Sequence, residues 1–119
     1  MLDLPDFLDS TEIKNNGAAL KKRLDEDGYL FVRGLLPRET ILRVRDRLLA
    51  VASAGGWLEG SRPVEDGIAN PEAACKDPED VYMAVFRDMW RDEELHRLRT
   101  HPDVLAFFER IFGEPALAH

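Results

Sequence analysis

The stretch that most limits what this chain can fold into is residues 27–34, DGYLFVRG. Gly28 suits the left-handed conformation at a helix C-terminus, so Asp27 and Gly28 end the polar helix before it. Tyr29, Leu30, Phe31 and Val32 then form an unbroken aromatic and aliphatic run. Such a run predicts a short strand covered on both faces, closed by Gly34. A strand of that kind needs neighbours for its backbone N–H and C=O groups, because buried unpaired ones are costly. The rest of the chain offers one weak candidate, residues 114–119, which carry Ala116, Leu117 and Ala118 after Pro115.

The other elements are expected to be helical. Ile13, Leu20 and Leu24 mark the inward face of a first helix starting near residues 10–16 and running to Asp27, with Lys21, Lys22, Arg23 and Asp25 outward. Asn15, Asn16 and Gly17 blur its start. Leu2, Leu4, Phe7 and Leu8 around Pro5 suggest a packed N-terminal arm. Pro37 suits the first turn of a second helix, in which Ile41, Val44, Leu48 and Val51 recur at steps of three and four until Gly55 and Gly56. Asp77 is expected as N-cap and Pro78 as first residue of a third helix. Its stripes Val81, Val85, Met89 and Tyr82, Phe86, Trp90 predict deep burial. Asp92, Glu93 and Glu94 open a short helix with Leu95 and Leu98. Thr100, His101 and Pro102 open the last, with Val104, Phe107, Phe108 and Ile111 on its apolar face and Gly113 at its end.

Function classes can be narrowed. A length of 119 residues fits one domain with a real core. A formal charge of -7 argues against general affinity for nucleic acid or anionic lipid. No apolar run approaches a membrane span and the first residues lack a basic secretory start, so a cytoplasmic location is expected. Cys75 is the single cysteine, which excludes an internal disulfide and a cysteine zinc cluster.

Four features invite a site. Arg38, Arg43, Arg45 and Arg47 could bind phosphate, but Glu39 and Asp46 are interleaved, as on a solvated helix face. Cys75 beside Lys76 would need a positioned base to act as a nucleophile. The aromatic stripe Tyr82, Phe86, Trp90 could line a pocket, although such spacing usually means core. His101-Pro102-Asp103 spells H-x-D, with His119 downstream. Pro102 nevertheless sits where a helix starts, so His101 and Asp103 belong to its first turn, and His119 ends the chain without a supporting shell. His96 is five residues before His101, not the four that align two ligands on a helix, and reads as a boundary residue. No catalytic, cofactor-binding or metal residue is therefore assigned. Residues 59–77, with Gly60, Pro63, Gly67, Asn70 and Pro71, form a long loop of the kind that serves as a lid or is disordered.

The joint order of DGYLFVRGLLP, an arginine-bearing helix, Gly56-Trp57-Leu58, a loop and EELHRLRTHPDVLAFFERIFGEP resembles the N-terminal region of the phytanoyl-CoA dioxygenase family, over roughly residues 20–115. Both quoted segments are packing patterns. The resemblance implies a mainly α chain with few short strands, the helical N-terminal portion of a double-stranded β-helix oxygenase whose β-helix core is absent, so that residues 1–119 form one incomplete domain. It also implies iron(II) and 2-oxoglutarate for the complete enzyme, held by an H-x-D pair and a later histidine beyond this chain. Hydroxylation of an unactivated C–H bond is the implied reaction, and inactivity of this chain alone is expected. The expected partner is the missing core, another protein or a second copy covering the strand edge. The alternative is a free-standing helical interaction module built on the same scaffold.

Overall fold

The computed structural model describes residues 5–118. Leu2, Leu4 and His119 lie outside the described residues. The described residues are mainly helical and form five α-helices: α1 Gly17–Asp27, α2 Arg38–Ala54, α3 Asp80–Trp90, α4 Glu93–Arg99 and α5 Pro102–Phe112. They fall into two compact units, one made from the chain up to Pro37 together with the chain from Leu98, the other from Arg38–Arg97.

In the first unit, α1 packs on α5. Leu20, Phe107 and Ile111 are its buried centre, with Ile13, Leu24, Leu30, Val32 and Leu35 against them. The expected first helix divides in two, a 3-10 turn at Thr11–Ile13 followed by α1. Asn16 is the N-cap, its side chain accepting the Ala19 N–H at 3.0 Å. Gly17 has a tertiary role: a Cβ there would run into the Arg110 backbone carbonyl of α5. At the other end Gly28 takes the left-handed conformation (φ 76°) and donates its N–H to the Leu24 carbonyl, as expected.

The strand expected at residues 27–34 does not form. Phe31 makes one isolated parallel bridge, with Asp9, in which the Ser10 N–H reaches the Phe31 carbonyl at 2.7 Å. Leu30 and Val32 turn to the Leu20 core, while Tyr29 and Phe31 pack around Phe7 of the N-terminal arm. The Tyr29 hydroxyl accepts the Leu8 N–H. The run thus alternates between a helical core and an arm, and a ladder of one bridge does not extend into a strand. Residues 114–118 form no strand either. They run irregularly after Gly113, and the Ala116 N–H goes to the Glu109 carboxylate of α5.

In the second unit α2 packs on α3, with Val44, Ala52 and Val85 buried. A Cβ on Gly55 would strike the Val85 side chain, so this glycine lets the end of α2 approach α3. The N-cap of α3 is Glu79, not Asp77. The Asp77–Pro78 bond is cis, and Lys76 and Glu79 close a turn around it: the Glu79 N–H donates to the Lys76 carbonyl at 2.8 Å, and the Lys76 N–H donates to the Glu79 carboxylate. That turn keeps Asp77 and Pro78 out of the helix. The deep burial expected of α3 is also absent. Only Val85 is buried, while Phe86 is 37% exposed, Trp90 51% and Val81 63%.

Candidate functional site

Trp57, immediately after the α2 terminus, stacks on Tyr82 at 5.9 Å between ring centroids. Tyr82 stacks on Phe86 at 5.7 Å, and Phe86 on Trp90 at 5.9 Å. Neighbouring planes differ by 25°, 13° and 14°, so four rings make one row. The i, i+4, i+8 spacing along α3 creates it, because residues four apart lie one above another on a helix. His96 of α4 closes the far end, its ring edge on Trp90 at 4.7 Å and its Nε2 bonded to the Trp90 carbonyl.

At the Trp57 end the row forms one wall of a groove of about 400 Å³. Ala52, Leu58, Ala69, Pro71, Ala73, Ala74 and Cys75 supply most of the remaining lining, and Asn70 is its amide. The loop of residues 59–77 supplies most of the rest of the lining and carries its own hydrogen bonds. Leu58 and Ala69 form an antiparallel bridge, and 3-10 turns occupy Val64–Asp66 and Pro71–Ala73. Asn70 clamps the loop to the α2 terminus: its N–H reaches the Trp57 carbonyl at 2.8 Å, its side-chain amide reaches the Gly56 carbonyl at 3.2 Å, and its side-chain oxygen caps Glu72 N–H at 3.1 Å. The Arg45 guanidinium holds the Glu65 carbonyl at 2.5 Å. Chemically, this groove can take up apolar surface. Its Cys75 is half-buried, and no histidine lines the groove with it.

Two members of the arginine set do local work. Arg45 reaches the loop, and Arg47 Nε lies 2.6 Å from Asp92 Oδ2. The other Asp92 oxygen accepts the Leu95 N–H at 3.0 Å, which makes Asp92 the cap of α4. Burial pushes the Asp92 carboxyl up, but the Arg47 hydrogen bond, the Leu95 amide, the Arg47 charge and the Glu94 amide together outweigh it and hold it below 3.8. Sequence reasoning placed Asp92 at the helix start but missed Arg47 as its partner. The sequence signal was the cap itself, an Asp before two glutamates.

The H-x-D sequence has the geometry of a helix start. His101 is the N-cap of α5, its Nδ1 accepting the Asp103 N–H at 3.2 Å, with Pro102 at the first helical position. Among the described residues no group of three His, Cys, Asp or Glu side chains could hold a metal ion.

The chain is similar to two curated hydroxylases. It is 29% identical over 115 residues to the 1-deoxypentalenic acid 11-beta-hydroxylase of Streptomyces arenae, covering 92% of this chain and 36% of that protein. It is 25% identical over 112 residues to the protein of the same name from Streptomyces exfoliatus, covering 94% of this chain and 36% of that one. The chain thus spans about a third of the length of the curated relatives it matches. No family model matches it, and no solved structure does. None of its described helices is long and apolar enough to cross a membrane.

Proposed function

We propose that this chain is the N-terminal, mainly helical part of an iron(II) and 2-oxoglutarate dependent oxygenase of the phytanoyl-CoA dioxygenase type, supplying scaffold rather than chemistry. The observation that carries this reading is similarity along nearly the whole chain to two hydroxylases of which it covers 36%. Iron(II) and 2-oxoglutarate would be held by residues outside this chain, where they would supply the oxidising power for C–H hydroxylation. The substrate suggested by the relatives' names is an acid such as 1-deoxypentalenic acid.

In this reading the helices buttress the catalytic core, and residues 59–77 form a wall over the substrate opening. Support for a wall comes from the hydrogen bonds that give the loop a definite shape. Deleting the loop from a complete relative is expected to change substrate affinity and turnover. Unchanged values would remove the lid role.

The test of the main reading is the coding sequence after His119. A continuing frame, in the same or an overlapping register, that encodes strands, H-x-D and a later histidine is the expected result. Its absence would overturn the reading and favour an interaction module. The isolated chain with iron(II), 2-oxoglutarate and oxygen is expected to form no succinate above background.

A further inference from the structure

We infer that the aromatic row on α3 is the seat for the remaining, catalytic portion of a hydroxylase of the matched kind. This rests on the proposed function and deepens it by naming the surface and its occupant. The sequence alone pointed to residues 27–34 as the docking edge. In the folded chain those residues are already engaged by the Leu20 core and the Phe7 arm. The α3 row is different: Phe86 and Trp90 are exposed, although their spacing is that of a core stripe.

The row has the anatomy of an interface. Its rings are stacked on one another before any partner arrives, so little side-chain entropy remains to be lost on binding. Aromatic rings carry large apolar area, and tryptophan and tyrosine are enriched among the residues that dominate binding energy. The Asp88–Arg91 ion pair, at 3.3 Å, lies round the helix from the row. An exposed row of stacked rings matches a partner presenting a flat apolar surface. The size of what is missing points to the occupant: the relatives devote most of their length to residues with no counterpart in this chain. A small ligand would fill the groove at Trp57 but leave Phe86 and Trp90 in water.

The test co-expresses this 119-residue chain with the part of the Streptomyces arenae hydroxylase outside the matched stretch, as a separate tagged polypeptide. That hydroxylase's own matched stretch serves as the positive control. The expected result is co-purification of this chain and a blue shift of its tryptophan emission. Phe86→Glu and Trp90→Glu are each expected to weaken capture at least tenfold, with circular dichroism showing that the helices persist. Phe112→Glu, on an exposed apolar position of the other unit, should leave capture unchanged. The milder Phe86→Ala separates loss of the seat from misfolding. Capture that survives the α3 variants, or that only Phe112→Glu abolishes, would overturn the inference while leaving the oxygenase reading standing. Failure of this chain to bind where the control binds would overturn it as well. The oxygenase reading fails separately, on the coding sequence.

Discussion

Arg47 Nε donates to Asp92 Oδ2 at 2.6 Å across 45 positions of sequence, tying α2 to the residue that caps α4. The Asp92 side chain is only 9% exposed, whereas that of Arg47 is 56% exposed. One carboxylate therefore both receives a cation and starts a helix.

The carboxyl's depressed value contributes a pH dependence to stability. A carboxyl lowered on folding contributes stability above its ordinary value of 3.8 and loses it as pH falls through the lower folded value. Arg47→Met is expected to lower the unfolding midpoint at pH 7 and by less at pH 3, where the unfolded carboxyl is already largely protonated. With the cation gone, burial gains relative weight, so the Asp92 carboxyl should titrate higher in the variant. Thermal unfolding at the two pH values and carboxyl NMR titration check both outcomes.

Gly17→Ala is expected to destabilise the α1 and α5 pair by about 1–3 kcal/mol, the usual range for overpacking. Helix propensity alone would make the same change favourable. The sign of the shift in a urea unfolding curve decides whether the close approach to the Arg110 carbonyl outweighs propensity.

Asn70→Ala removes the cap on Glu72 and the bond to the Gly56 carbonyl, a loss of about 1 kcal/mol for a cap of this kind. Amide exchange should accelerate first at Glu59, Asn70 and Ala73, whose N–H groups bond within the loop and to Trp57. Uniform acceleration over the whole chain would contradict a local clamp.

Leu20→Ala, at a fully buried position, is expected to cost about 2–5 kcal/mol. Phe86→Ala should cost well under half as much in the isolated chain, since its ring is partly exposed. Paired chemical unfolding of the two variants tests this difference, which separates a core residue from one on the exposed row.

Much of the fold was legible because helix ends are local. Gly28, Gly113 and the His101-Pro102 start bond within their own turn, and their geometry follows from a few adjacent residues. The α3 start was misplaced because Glu79 and Lys76 close a turn that the Asp-Pro pair did not reveal. The candidate site was legible in part. The spacing of Tyr82, Phe86 and Trp90 announced the row, but the same spacing serves core and surface, and only the folded chain leaves Phe86 and Trp90 exposed. Asn70 was read as a turn residue, while its hold on Gly56 and Trp57 needed the loop to fold back.

By itself the sequence determined a mainly helical chain, most helix ends and the first-turn role of His101 and Asp103. These depend on interactions within a few residues, where side-chain spacing and capping chemistry leave little choice. Tertiary structure decided that Leu30 and Val32 would serve a helical core, and Tyr29 and Phe31 the N-terminal arm, instead of a sheet, that Gly17 would admit α5, and that Arg47 would find Asp92. Each depends on partners distant in sequence, and backbone pairing or close approach is settled only when the chain brings them together.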